Sequence, residues 1–180
     1  TIWQARPIKM SPPLKFVLGS MFGFVMGGIA GLIQANVGLN VVFHNTQWVV
    51  ALHAHTFLIT GVGTMLFSVI YTLIPMLTKL EFKHQKLVDW HLWLWLIGSV
   101  SMAYAMGMAG SGGMLRRTLY TAGEFTPYTL VAIIGGTILS IGFIVFLVNL
   151  VSTLGIKNIL SVVIPDQWQK KPASIEPSAE

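Results

Sequence analysis

Four long apolar runs constrain this chain more than any other feature of it. They lie near Leu14–Val37, Val49–Leu77, Trp90–Gly110 and Tyr128–Ile156. Each is long enough for a helix crossing a hydrocarbon core, which needs ~20 residues. In lipid a segment must satisfy its own backbone donors and acceptors, and a helix does so. The expected fold class is therefore an all-α membrane protein of four transmembrane helices. Composition agrees: 54% of the 180 residues are hydrophobic and 9% charged, where a soluble domain carries roughly a quarter charged residues. The chain has no cysteine, which excludes disulfides, iron–sulfur clusters and thiolate ligands within it. Residues 1–164 read as one membrane part and 165–180, with Lys170, Lys171 and prolines, as a flexible tail. Thr1–Pro13 lacks the pattern of a signal peptide, and a first residue other than methionine suggests processing or a longer parent chain.

The second run holds the chemistry. His53 and His55 sit in a stretch free of lysine, arginine, aspartate and glutamate, shortly after His44-Asn45-Thr46-Gln47-Trp48. On a helix a two-residue step turns ~200°, so the two imidazoles point to nearly opposite faces. Such a pair does not chelate one ion; it can serve two iron centres, one on each side of the helix. A lone histidine in a membrane often only bonds a neighbouring helix, but ionisable residues there usually mark a site. Two on opposite faces favour haem ligation, for which neutral imidazole is a common axial ligand.

Other features read as packing. Gly19, Gly23, Gly27 and Gly31 recur every fourth residue, a spacing that lets another helix approach closely. Thr56, Thr60, Thr64, Ser68 and Thr72 form a hydroxyl row. A proton-conducting stripe is one reading, and bonds back to the carbonyl four residues earlier are the favoured one. Gly61 and Gly63 thin the helix below the histidines, where a flat macrocycle would lie close. Pro75 is expected to end or kink the helix. Trp90, Trp93 and Trp95 read as an interfacial belt, with His91 a solvated residue at headgroup level. Met102, Met106 and Met108 read as filler. The fourth span is featureless apart from Gly135, Gly136 and Gly142 as packing points.

Four spans put the N-terminus, the loop after span two and the C-terminus on one side. That side carries Arg6, Lys9, Lys15, Lys79, Lys83, Lys86, Lys157, Lys170 and Lys171, nine of the eleven basic residues. The positive-inside rule makes it cytoplasmic, so the net charge of +5 is membrane-flanking rather than a nucleic-acid footprint. Arg116 and Arg117 break the rule on the outer side, together with His44. An adjacent arginine pair there wants an anionic partner, and haem carboxylates suit the planar guanidinium fork.

His44-Asn45-Thr46-x-Trp48, His53-x-His55 and Met114-x-Arg116-Arg117 together resemble the C-terminal third of subunit I of the haem–copper oxygen reductases. The resemblance spans about Leu14 to Gly155, and Asn45 with Trp48 leans to the B-type branch. It implies the last four of about twelve helices. His53 would be the axial ligand of the high-spin haem at the oxygen site, and His55 one axial ligand of the low-spin haem. Arg116 and Arg117 would bind haem propionates, with His44 and Asn45 above them at the outer face. The spacing from Trp48 to His53 is one residue longer than the family's, which a local bulge would absorb. The family's copper ligands, histidine-linked tyrosine and second low-spin ligand lie on earlier helices, and only His84 and His91 remain here. The resemblance therefore implies a partner chain carrying the remaining helices and the copper ligands, a subunit II-like protein admitting electrons, surrounding lipid and a prokaryotic respiratory membrane. The activity implied is oxygen reduction to water with proton translocation, electrons coming from a quinol or a small redox protein. A nitric oxide reductase, a dihaem electron-transfer cytochrome and a non-redox assembly or transport subunit are the rival readings.

Overall fold

In the computed structural model, residues 8–120 and 123–163 are described. The expected tail at 165–180, together with Arg6, Lys170 and Lys171, lies outside them. Helix α1 spans Pro12–Ala35, opening on prolines at a position where the missing N–H costs nothing. A short α2, Val37–Phe43, is capped by Asn36, whose side chain accepts from the Leu39 N–H at 3.1 Å. A π-wound segment, Trp48–Gly63, runs directly into α3, Thr64–Thr78. Helix α4 spans Gln85–Ser111, α5 Thr126–Leu154 and α6 Ile156–Val163. Among the described residues four helical stretches are long and apolar enough to cross a membrane: Pro12–Ala35, Trp48–Thr78, Gln85–Ser111 and Gly123–Leu154. They match the four expected spans. Pro75 sits inside α3, which ends at Lys79 in the left-handed region with φ 61°.

Around His53 the backbone departs from α winding over a longer stretch than one bulge. The backbone takes i→i+5 winding for 16 residues, far more than the single turn in which such winding usually appears. The Thr56 hydroxyl follows suit, donating to the Ala51 carbonyl five residues back at 3.2 Å. This wider winding turns each residue through less than an α-helix does, and two residues still make roughly half a turn.

The glycine row of α1 packs, as expected, against a tight neighbour, and that neighbour is the histidine-bearing helix. A Cβ on Gly27 would stand 2.7 Å from the Phe57 nitrogen, and one on Gly23 would run into the backbone of Thr60 and Gly61. Gly61 and Gly63 do not leave room for a macrocycle. A Cβ at Gly61 would meet the Phe24 ring at 2.9 Å, and one at Gly63 the Trp95 ring at 3.1 Å. Both small residues serve close helix approach, which in lipid stands in for the hydrophobic effect. In α5, Gly135 lies against Ser101 and Met102, and Gly142 against Leu94 and Trp95, whereas Gly136 makes only ordinary contact with the Met102 sulfur.

The hydroxyl row departs from expectation. Only Thr72 bonds four residues back, to Ser68 at 2.9 Å. Thr60 donates across to Ser99 Oγ on α4 at 2.9 Å, and Ser68 to the Pro13 carbonyl on α1 at 2.9 Å. Thr64 is buried with its hydroxyl unpartnered. The i→i+5 winding moves the carbonyls that Thr56 and Thr60 would otherwise meet, and neighbouring helices lie within reach.

His91 is the largest correction. It is 0% exposed, not a solvated residue. Phe67 packs edge-on at 4.3 Å between centroids, with Phe16 at 5.1 Å and Phe146 at 5.2 Å, and its Nδ1 is hydrogen-bonded to the Tyr71 hydroxyl at 3.0 Å. Helix α4 starts at Gln85, earlier than expected, so His91 falls on its second turn. One residue turns a helix by ~100°, which sets Trp90 and Trp93 outward at 61% and 60% exposure while His91 enters the core. Trp95 also turns inward, donating to the Ile59 carbonyl at 3.2 Å. Nor is the fourth span featureless. Asn149 is fully buried and clamps the loop ahead of α4 by accepting from the His84 N–H at 3.2 Å and donating to its carbonyl at 3.1 Å.

Replacing Tyr71 by phenylalanine strands the buried His91 Nδ1, and a loss of about 1–3 kcal/mol is expected. Adding His91→Phe should recover much of that loss, because both partners then become apolar. Thermal unfolding of the purified assembly checks this; a double variant less stable than the sum of the singles contradicts it.

Candidate haem-ligating site

Between α2 and the π-wound segment the chain reverses on Thr46. Its hydroxyl donates to the Phe43 carbonyl at 2.9 Å and accepts from the Trp48 N–H at 3.2 Å, so one buried side chain satisfies both sides of the turn. Trp48 stacks on Phe43 with centroids 4.9 Å apart, and Gly110 of α4 admits the Trp48 backbone. The turn thereby fixes where the histidine-bearing helix begins.

This turn is joined to the arginine loop some 70 residues away. Gln47 N–H donates to the Met114 carbonyl at 2.9 Å, and Arg116 N–H to the Asn45 carbonyl at 3.0 Å. Thr46 and Leu115 form an antiparallel bridge. Arg116 Nε also donates to Asn45 Oδ1 at 3.3 Å. Two turns permit the approach: Gly113 at φ 95° and Arg117 at φ 59°, the latter a strained conformation costing about 1–3 kcal/mol for a residue with a Cβ. The structure thus brings together Asn45 and Arg116. His44, the C-cap of α2, and Arg117 are exposed, and neither is tied to that pair by a side-chain hydrogen bond.

His53 lies against α1. Its Nδ1 is 2.9 Å from the Gly27 carbonyl. A carbonyl only accepts, so Nδ1 carries the proton and Nε2 of the neutral ring is left with its lone pair. Metal-ligating histidines are usually held in this way, the second nitrogen bonded to a carbonyl or carboxylate. Gly31 makes the space: a Cβ there would stand 2.7 Å from the His53 Cε1. The ring, its fixed tautomer and the cradle fit a haem iron at Nε2. His55, two residues on and partly exposed, forms no hydrogen bond among the described residues, so α1 orients one imidazole and not the other. In the arginine loop, Arg116 uses Nε on Asn45, and its terminal nitrogens suit a carboxylate.

Residue types alone did not single out Gly27 and Gly31 as parts of this site, nor Thr46 as its hinge. The four-residue glycine period was the available signal, since it marked the face on which the neighbouring helix lies.

A bundle of membrane-length helices with histidines on opposite flanks of one of them has the architecture of a haem–copper oxidase subunit. The chain belongs to the cytochrome c and quinol oxidase polypeptide I family, whose sequence model matches residues 1–138. It is similar to cytochrome c oxidase polypeptide 1 of Halobacterium salinarum, 28% identical over 153 residues, which is 85% of this chain and 25% of the relative. Cytochrome c oxidase subunit 1 of Thermostichus vulcanus is 31% identical over 151 residues, 84% of this chain and 27% of the relative. The fold superimposes on a haem–copper terminal oxidase dimer solved by cryo-electron microscopy with a TM-score of 0.71 and 26% identity, covering 83% of this chain and 28% of that one. The chain spans about a quarter of the length of the curated relatives it matches.

Thr46→Val removes both hydroxyl bonds of the hinge. A loss of about 1 kcal/mol, in the range of a deleted helix cap, is expected in thermal unfolding, and Thr46→Ser should restore most of it. Equal melting of all three proteins would contradict the hinge role.

Proposed function

We propose that this chain is the haem-ligating portion of a respiratory terminal oxidase that reduces oxygen to water and couples the reaction to proton translocation. The observation that carries this reading is the His53 ring, held at Nδ1 by the Gly27 carbonyl with Nε2 directed to act as a ligand, in a chain of the oxidase polypeptide I family. His53 would hold the high-spin haem at the oxygen site. His55, on the other flank, would supply one axial ligand of the low-spin haem. Arg116, with Arg117 and His44 nearby, would engage haem carboxylates at the outer face. When bound, the two haems supply electron transfer and an open iron position for oxygen. The chain's own part is to orient His53, to keep the helix between the irons dry and apolar, and to neutralise carboxylates at its outer end.

Copper ligands and the second ligand of the low-spin haem come, in this reading, from polypeptide outside these 180 residues, which we assign to a partner chain. A subunit II-like protein admits electrons from a quinol or a redox protein. The asymmetric lysines favour a cytoplasmic side for both termini; we assign the chain to a prokaryotic respiratory membrane, and the Asn45–Trp48 element suggests the B-type branch. The curated relatives are cytochrome c oxidases, which favours oxygen over nitric oxide as acceptor.

In reduced-minus-oxidised spectra of the complete complex, His53→Ala should abolish ligand binding at the oxygen site and His55→Ala should remove the low-spin signal. Gly31→Val, which pushes on the His53 ring, should mimic His53→Ala in part while leaving the low-spin signal intact. Two normal haem signals in both histidine variants would sink the assignment.

A further inference from the structure

We propose that Asn45 is a positioning residue for Arg116, and that it sets the guanidinium toward the haem carboxylates without binding them itself. This rests on the haem reading above and deepens it. Both acceptors of Asn45 point at one residue: its carbonyl takes the Arg116 N–H at 3.0 Å and its Oδ1 takes Nε at 3.3 Å. Main chain and side chain of Arg116 are therefore fixed from the same place.

The flanking contacts make the lock stiff. Gln47 N–H bonds the Met114 carbonyl at 2.9 Å, Thr46 bridges Leu115, and the Leu115 N–H donates to the Tyr120 hydroxyl at 2.6 Å. The arginine loop is thus held on one side by the turn that starts the histidine helix and on the other by its own tyrosine. Position along that helix and position of the guanidinium are set by one joint.

The choice of nitrogen has a chemical consequence. A guanidinium binds carboxylate either through Nε with one terminal nitrogen or through its two terminal nitrogens. With Nε occupied by Asn45, the end-on face of two terminal nitrogens remains. An amide also suits the task better than a carboxylate would, since it accepts the bond without neutralising the cation. Aspartate at this position would form an ion pair and cancel the charge intended for the haem.

Redox titration of the complex, purified with its partner chains, tests this. Asn45→Ala, Arg116→Gln and the double variant are compared. Each single change should lower the midpoint potential of the haem whose carboxylates Arg116 serves, because a well-placed cation favours the reduced state. The double variant should titrate with Arg116→Gln alone, since Asn45 has nothing left to position. A full additional shift in the double variant would show Asn45 acting on the haem directly, and an unchanged potential in Asn45→Ala would show that the bond positions nothing; either overturns the proposal. Should Asn45→Ala fail to assemble, Asn45→Ser, too short to reach Nε, carries the same expectation. A wild-type complex with no haem bands would instead defeat the haem reading itself.

Discussion

Everything at this site depends on how closely α1 lies against the π-wound segment. The approach brings the backbone of Gly27 within hydrogen-bonding range of the His53 ring; a Cβ at 27 would run into the Phe57 backbone, and one at 31 into the His53 ring itself. In water such an interface would be driven by burial of large side chains. In lipid that drive is missing, and backbone contact with dispersion takes its place. The same device that holds the helices together therefore also supplies the acceptor that fixes the imidazole tautomer. Packing and ligand geometry are here one interaction.

The span count and the class of fold were legible from residue types, because both rest on a strong local pattern of long apolar runs; the histidine pair stood out as ionisable side chains in an otherwise apolar run. The glycine row was read correctly as packing, yet its link to His53 was hidden, since a four-residue period says that a neighbour comes close and not which residue it carries. Likewise the pairing of Asn45 with Arg116 joins segments 71 residues apart, and no local pattern encodes such a contact. The sequence placed both groups on one membrane side, which was the part that counting crossings can deliver.

The errors share one cause. His91, Trp95, Gly61 and the hydroxyl row were each assigned from position along the chain, and each outcome was decided by rotation about the helix axis. His91 differs from its exposed neighbour Trp90 by one residue, and that single step carries it from the rim into a ring of aromatics. For the hydroxyls the winding itself changed. Where the backbone bonds run i→i+5, a four-residue repeat no longer returns to the same carbonyl, and Thr60 bonds across to α4 instead; Ser68, in the α-wound helix beyond, bonds to the Pro13 carbonyl that α1 brings within reach.

That altered winding bears directly on the two imidazoles. An α-helix and a π-helix both carry residues two apart to nearly opposite faces, one slightly past half a turn and the other slightly short of it. Hence the back-to-back arrangement of His53 and His55 holds in either winding. A single bulge would place the whole change of winding at one point, between the Thr46 hinge and the His53 contact with Gly27. Spreading it over 16 residues lets the hinge, the His53–Gly27 bond and the Thr60–Ser99 bond all be satisfied at once. The chain keeps the Thr46 joint and the His53–Gly27 contact in register through a looser coil between them.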